Sequence, residues 1–428
     1  MFQILKSKNA KNASWIISEQ IFHMIISFVI GIFTARYLGP ANYGILNYTA
    51  SFVAFVASIV TLGMDGVVIK KMIASPDREG EYLGSCIVFR IISAVLSSIS
   101  IMILVYILNI DETLKLWLTA LQSIQLLFQA GYIFDSWFQR HLKSRFVSIA
   151  KMTAYTLVSL YKLYLLVYAK DITWFAFSNS LMAIIITSIL YFYYKHTGGQ
   201  KLRYSFQTGK EVLSESYHFI ISGLMVAVYS QISRIIIGEF TTEADVGFYT
   251  MASTLSAMWI FIPTAIINSM RPTIMEYKER NDEATYMRRL QQLYSFLIWL
   301  SVLAALLTGL LGEFIITKLY GSEFQGAVAP FKIIIWSELF SVLGTARGIW
   351  ILCEKKNKYV KHYLFIGALF CIIANLIFVP RYGIMAASVI ALLTQFITSI
   401  IAPLFFKATR AHTKIILDSF LLKWYFVK

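Results

Sequence analysis

Charge is scarce in this chain of 428 residues: Asp, Glu, Lys and Arg together make up 14% of it, against about 25% in an ordinary soluble domain. That shortage excludes a water-soluble globular protein. The three cysteines, Cys86, Cys353 and Cys371, lie in or beside apolar runs without ligand spacing, so neither a disulfide framework nor a zinc site is expected. No GxxxxGK[ST] loop is present, which argues against direct ATP use. HExxH, GxSxG and paired-acid loops are missing too, and no cofactor or metal is expected. The loops assigned below to the outer face are all short. Membrane glycosyltransferases and polymerases need a sizeable outer loop to hold an acceptor and a catalytic acid, so an enzyme is the lesser reading.

What is present is apolar surface. Hydrophobic residues make up 58% of the chain, and the mean hydropathy is +0.66. Lipid is the solvent this composition fits. Crossing a bilayer takes about 20 apolar residues whose backbone must satisfy its own hydrogen bonds. The runs are unbroken, without the alternation of a barrel, so helices are expected. Twelve spans are predicted, at 13–38, 44–64, 84–108, 113–136, 146–169, 172–194, 213–238, 246–268, 292–317, 327–352, 358–379 and 383–406. The basic N-terminus, MFQILKSKNAKNASW, precedes an apolar run with no small-residue cleavage site. It reads as the start of a retained span and not as a signal peptide.

The formal charge of +15 is distributed by loop. Alternate loops carry clusters such as Lys6, Lys8 and Lys11; Arg140, Lys143 and Arg145; Arg271, Lys278, Arg280, Arg288 and Arg289; and Lys355, Lys356, Lys358 and Lys361. The intervening loops hold few bases and carry Asp111, Glu112, Asp171, Glu239, Glu243, Asp245 and Glu323. By the positive-inside rule the basic loops and both termini face the cytoplasm. The excess charge is therefore an orientation signal, and no nucleic-acid partner is expected.

An internal echo divides the chain. TARYLGPANYG, from residue 34, follows the first span; IGEFTTEADVGFYTM, residues 237–251, follows the seventh. Aligning Gly44 with Gly247 pairs Ala41 with Ala244 and Asn42 with Asp245. Two halves of like orientation imply a parallel repeat of the transporter kind. The expected organisation is a six-helix lobe over 1–194, a polar cytoplasmic linker over 195–212 and a second six-helix lobe over 213–428.

Charge inside a span costs roughly 2.5 kcal/mol or more at the centre and marks functional candidates. Lys162 lies deepest, in span five, with Tyr155 and Lys151 seven and eleven residues before it on one helical face. Lys151 is close enough to the inner surface to snorkel, whereas Lys162 is placed to line an anion-binding cavity. Gln122, Gln125 and Gln129 form an amide stripe on span four that either cements helices or contacts sugar. Arg90, Arg234 and Arg347 lie near predicted surfaces, where each can snorkel or offer its planar guanidinium to phosphate. Glu19 with His23, and Glu215 with His218, are candidate proton-exchanging pairs or buried partners. Glu338, midway along span ten, is expected to meet a cation. Asp65 and Asp135 read as structural.

The strings ARYLGPANYGILNY (35–48), TLGMDGVVIKKMIA (61–74), KLYGSEFQGAVAPFKIIIW (318–336), GTARGIWILCEKKNKYV (344–360) and VPRYGIMAASVIALLTQF (379–396) occur in this order. Together they resemble the bacterial polysaccharide transporters, the O-antigen flippases of the multidrug/oligosaccharidyl-lipid/polysaccharide (MOP) superfamily, over nearly the whole chain. The resemblance implies an all-α integral membrane protein of about twelve spans in a MATE-like pair of bundles. It also implies a cargo, an oligosaccharide on undecaprenyl pyrophosphate, turned from the inner to the outer leaflet of the bacterial cytoplasmic membrane. Alternating access coupled to a proton or sodium gradient is expected, with contact to polysaccharide polymerase and chain-length machinery as further partners. No active site carries over. Within the superfamily the competing reading is a multidrug cation antiporter, whose cavity would favour acids; outside it, an oligosaccharide polymerase or membrane acyltransferase. In the opening motif, Gly39 and Pro40 can turn the chain, and Tyr37, Tyr43 and Tyr48 suit the membrane interface. Arg36 either snorkels outward or touches the pyrophosphate.

Overall fold

The structure, a computed structural model, describes residues 8–421. Its elements are helices, with no strand among the described residues. In chain order they are α1 (Lys8–Val60), α2 (Asp65–Ala74), α3 (Glu79–Leu108), α4 (Thr113–Gln129), α5 (Ile133–Arg140), α6 (Ser144–Val167), α7 (Ile172–His196), α8 (Phe206–Phe240), α9 (Glu243–Met258), α10 (Phe261–Glu279), α11 (Glu283–Tyr320), α12 (Val328–Cys353), α13 (Val360–Phe396) and α14 (Arg410–Phe420).

Among the described residues, eight helical stretches are long and apolar enough to cross a membrane. Two of them, Ser14–Ala74 and Asn357–Leu404, each contain two predicted spans. A straight helix of the 53 residues of α1 would run for roughly 80 Å at 1.5 Å per residue. Gly39 interrupts it with φ 70° and ψ 170°, just before Pro40. Such a positive φ is open to glycine at little cost. Gly383, with φ 57° and ψ −143°, breaks α13 in the same way after Pro380. The predicted spans 113–136 and 146–169 are helical but less uniformly apolar. A 3-10 turn at Ala130–Tyr132 separates α4 from α5, and α6 carries Arg145, Lys151 and Lys162. This arrangement is consistent with twelve crossings. Many large apolar side chains face outward, among them Leu310 at 80% and Val167 at 78% exposure, as a lipid solvent permits.

The two echo segments both mark helix breaks. In the alignment set by Gly44 and Gly247, Gly39 pairs with Thr242. Thr242 sits extended at the N-cap of α9, where its hydroxyl accepts from the Asp245 amide and the Asp245 carboxylate accepts from the Thr242 amide. One copy breaks the helix with a glycine and the other with a capping box.

The chain divides into two compact units, Met1–Ala227 and Val228–Lys428. The first packs around Met64, Met72, Trp137, Phe138 and Leu190, and the second around Tyr286, Leu290, Tyr294, Leu297 and Trp350. The polar segment expected as a linker, 195–212, belongs with the first unit. Its backbone lies against the start of α3, where Gly80 and Gly84 leave room for the carbonyls of Lys201 and Arg203. The Arg203 amide donates to the Gly80 carbonyl at 3.1 Å, the Gly80 amide to Gln200 Oε1 at 3.0 Å and the Ser205 amide to Ser85 Oγ at 3.0 Å. Lys71 of α2 pairs with Glu211 and Glu215 beyond them. A Cβ on Gly84 would overlap the Arg203 carbonyl oxygen. Gly84→Val is therefore expected to cost about 1–3 kcal/mol, read as a lower Tm of the detergent-purified protein. Gly66→Ala, in α2 with nothing near its Cβ position, should leave the Tm unchanged or raise it. Equal behaviour of the two variants would contradict the docking.

In the second unit, α14 covers the end of α11. His412 is fully buried, with its Nε2 2.7 Å from the Tyr294 hydroxyl. Burial, reinforced by the Arg347 charge, holds its pKa well below the ordinary value of 6.5. The folded state thus resists a proton that the unfolded chain accepts. Stability from this site is complete above about pH 6.5 and declines as pH falls below it, by at most about 1.4 kcal/mol per pH unit. The Tm is expected to drop between pH 7.5 and 5.5, and His412→Gln should remove part of that drop. An identical pH profile in the variant would contradict this.

Candidate anion-binding cavity

The first unit encloses a cavity of about 260 Å³. One wall comes from α1 on both sides of the Gly39 break: His23, Ser27, Gly31 and Thr34 before it, Tyr43, Asn47 and Ala50 after it. The kink is what lets one helix supply both stretches. The facing wall is α6, whose Tyr155, Val158, Ser159 and Lys162 follow the three- and four-residue spacing of one helical face. Gln122 from α4 and Phe175, Asn179 and Met182 from α7 complete it.

Lys162 is the centre of its chemistry. It has no ion pair and no hydrogen bond among the described residues, although it lies well within a span. No carboxylate lines the cavity. The Gln122 Nε2 donates to the Leu46 carbonyl at 3.1 Å, while its buried Oε1 has no partner. Asn47 is held by a bond to the Tyr43 carbonyl at 2.8 Å. The result is a small polar chamber with one cation, several amide and hydroxyl groups, and an aromatic wall. Such a set can hold an anion and hydrogen-bond a polar headgroup.

The ring of His23 stacks on Tyr155 with centroids 4.1 Å apart, and the Tyr155 hydroxyl faces the buried carboxylate of Glu19. Tyr155 therefore joins the anticipated Glu19 and His23 to the wall that carries Lys162.

Other candidates stand elsewhere. Lys151 pairs with Asp135 at 3.2 Å. Arg90 is fully buried and bonds Asp65 at 2.9 Å, so that acid and base anticipated separately form one contact. Gln125 turns back to the Gln122 carbonyl at 2.9 Å and Gln129 to Gln125 at 3.2 Å, a helix-surface chain outside the cavity lining. Arg36 is exposed. Glu215 is engaged by Lys71 at 2.6 Å, and His218, exposed, lies against Tyr217. In the second unit Arg234 meets Gln231 at 3.3 Å. Arg347 donates to the Thr398 carbonyl at 2.7 Å, beside the π-helical turn Ile397–Ile401, and lies over the Tyr363 ring at 4.8 Å. Glu338 is buried, but the cation it was expected to meet is not there: no ion pair reaches it among the described residues, since no basic side chain comes within 4.0 Å.

Asn47 and Asn179 were missed. Both sit inside predicted spans as isolated amides, a signal that attention to charge and to the glutamine stripe passed over.

Comparison with known proteins bears on what this fold is. CapF of Staphylococcus aureus, a capsular polysaccharide biosynthesis protein, is 20% identical over 411 residues, covering 93% of this chain and 99% of that protein. Agl15 of Haloferax volcanii, named a probable low-salt glycan biosynthesis flippase, is 21% identical over 398 residues, covering 92% of this chain and 82% of its own. Among solved structures, the lipid II flippase MurJ in an inward closed conformation matches with a TM-score of 0.71 at 14% identity, over 96% of this chain and 92% of that one. An inward-facing multidrug resistance MATE transporter of the MOP superfamily matches with a TM-score of 0.63 at 12% identity, over 92% of this chain and 96% of that one. The likeness shows the expected all-α fold, shared with the lipid II flippase MurJ and with a MATE transporter of the MOP superfamily. The polysaccharide biosynthesis protein family matches residues 9–278, more than half of the sequence, and the chain belongs to that family.

Proposed function

We propose that this protein is a flippase that carries polyprenyl-pyrophosphate-linked oligosaccharides, built on undecaprenol, from the cytoplasmic to the outer leaflet of the bacterial inner membrane. The carrying observation is the unpaired Lys162 in a cavity without carboxylates. An ammonium placed in a span without a partner costs several kcal/mol and is maintained where an anion completes it. The diphosphate of a lipid-linked sugar is such an anion, and the Gln122, Asn47 and Asn179 amides suit the adjoining hydroxyl-rich sugar. A cation antiporter needs the opposite polarity, so the acid-free lining favours the flippase.

In this reading surface polysaccharide such as O-antigen is the end product, and polymerase and chain-length machinery receive the flipped unit. The basic loops and both termini face the cytoplasm, as their charge directs. The Glu19, Tyr155 and His23 contacts supply a route for proton coupling to the same wall, with sodium as the other candidate ion. The cavity admits a diphosphate and not a whole oligosaccharide, so the helices that wall it must move apart during transport.

The test is made in cells lacking the protein. Lipid-linked repeat units should accumulate intact and be inaccessible to an impermeant glycan-modifying probe, while surface polysaccharide disappears. Single units that reach the outer leaflet but are never joined would place the protein after translocation and favour the polymerase.

A further inference from the structure

The second unit holds an opening of a different character. It measures about 620 Å³ and lies between α10 and α11, walled by Met270, Phe296, Trp299, Leu300 and Leu303. Several of these side chains face outward: Phe296 is 54%, Leu303 53% and Trp299 48% exposed. Trp299 also stacks on Phe420 of α14, with the rings 11° from parallel, as an aromatic anchor at a membrane interface does. The groove is therefore apolar and open sideways.

Its end toward the α10–α11 connection is basic. Gln292 lines the groove, and Arg289, one turn earlier on the same face of α11, donates to its Oε1 at 3.2 Å. Arg288, four residues before Gln292, is exposed and has no ion pair or hydrogen bond among the described residues. Arg271 directly follows the lining residue Met270, and its Nε is shut off from solvent without a partner. Most acids of this segment are committed elsewhere: Glu276 to Arg280, Glu283 and Glu354 to Lys278, and Asp282 to the Thr285 amide.

We propose that this groove binds an anionic phospholipid of the surrounding bilayer, with an acyl chain along Met270, Phe296, Trp299 and Leu303 and the phosphodiester on Arg271, Arg288 and Arg289. Three arginines without carboxylate partners beside an apolar slot complement a headgroup of net negative charge, and the guanidinium fork suits phosphate oxygens. A zwitterionic lipid brings its own ammonium to the same place and loses that complementarity. Basic pockets between membrane helices bind acidic headgroups on the same physical grounds. None of these residues lines the cavity of the first unit, so this binding stands or falls independently of sugar-lipid recognition.

The test uses the full chain purified in detergent, titrated with phosphatidylglycerol, cardiolipin or phosphatidylcholine and read by native mass spectrometry. The wild type is expected to retain the two anionic lipids in preference to phosphatidylcholine. Combining Arg271→Gln, Arg288→Gln and Arg289→Gln should weaken that retention by on the order of tenfold or more. Leu303→Gln, which leaves the arginines in place, should weaken all bound lipid without changing the preference. Equal retention of charged and zwitterionic lipids by the wild type would overturn the proposal, as would an unaltered preference in the triple variant. Displacement by undecaprenyl phosphate but not by excess phosphatidylglycerol would also overturn it, by making the groove part of the cargo's path.

Discussion

Lys162→Met is expected to abolish most transport while leaving the protein as stable as the wild type or more so. The two effects have one cause. In the unloaded protein the ammonium has no partner among the described residues, so its removal breaks no contact and relieves the cost of holding a charge within a span, roughly 2.5 kcal/mol on insertion scales. In the proposed function the same ammonium meets phosphate oxygens of the cargo, and a hydrogen bond to a charged group contributes about 1.5–3 kcal/mol. Its loss corresponds to roughly a 10- to 100-fold fall in transport at subsaturating cargo. Lys162→Arg should retain measurable transport because the positive charge remains, and Lys162→Glu should retain none. Transport is read as surface polysaccharide restored to cells lacking the protein, and stability as Tm in detergent. A Met variant that transports normally would remove Lys162 from the mechanism. A Met variant that fails to fold would show that the side chain has a structural partner.

The largest expected stability effect lies away from the cavity, at Glu79 on the first turn of α3. Its carboxylate is 4% exposed and accepts from Trp137 Nε1 at 2.7 Å. It also meets Arg140 Nε at 2.7 Å and His141 Nε2 at 3.0 Å. One acid thus ties α3 to α5 and to the turn after it. Glu79→Ala leaves the indole N–H without an acceptor and the partly buried guanidinium without its counter-charge, a loss of about 3–5 kcal/mol. Glu79→Gln keeps the shape and one acceptor and should fall between. Asp77→Ala, two residues earlier and exposed, should change stability by less than about 0.5 kcal/mol. The comparison is read as Tm and as yield of monodisperse protein. Equal Tm values for Glu79→Ala and Asp77→Ala would show that the cluster holds nothing together.

Much of this was legible in the sequence because membrane helices obey local rules. Run length and loop charge place the spans without tertiary information, and Gly39 next to Pro40 announces a break that the structure realises at φ 70°. The seven-residue spacing of Tyr155 and Lys162 puts both on one face, and that face lines the cavity. What stayed hidden depends on partners distant in sequence. Arg90 looks like any intramembrane arginine until Asp65 is found 2.9 Å away. Glu79 falls outside the predicted spans, and nothing nearby in the chain names Trp137 or His141 as its donors. The segment 195–212 has the composition of a free linker, yet Gly80 and Gly84 let its backbone dock on α3. Composition reports solubility there, whereas the missing Cβ atoms decide the packing.

The central claim is that the protein itself moves a diphosphate-linked glycolipid across a bilayer by way of Lys162. Purified protein reconstituted into vesicles with a fluorescent undecaprenyl-pyrophosphate glycan tests it directly, with sidedness read by an impermeant quencher. The expected result is that vesicles with wild-type protein exchange the glycan between leaflets, that Lys162→Met vesicles exchange it 10- to 100-fold more slowly, and that empty vesicles do not. Exchange at the wild-type rate by Lys162→Met, or none by the wild type under an imposed proton or sodium gradient, would contradict the account.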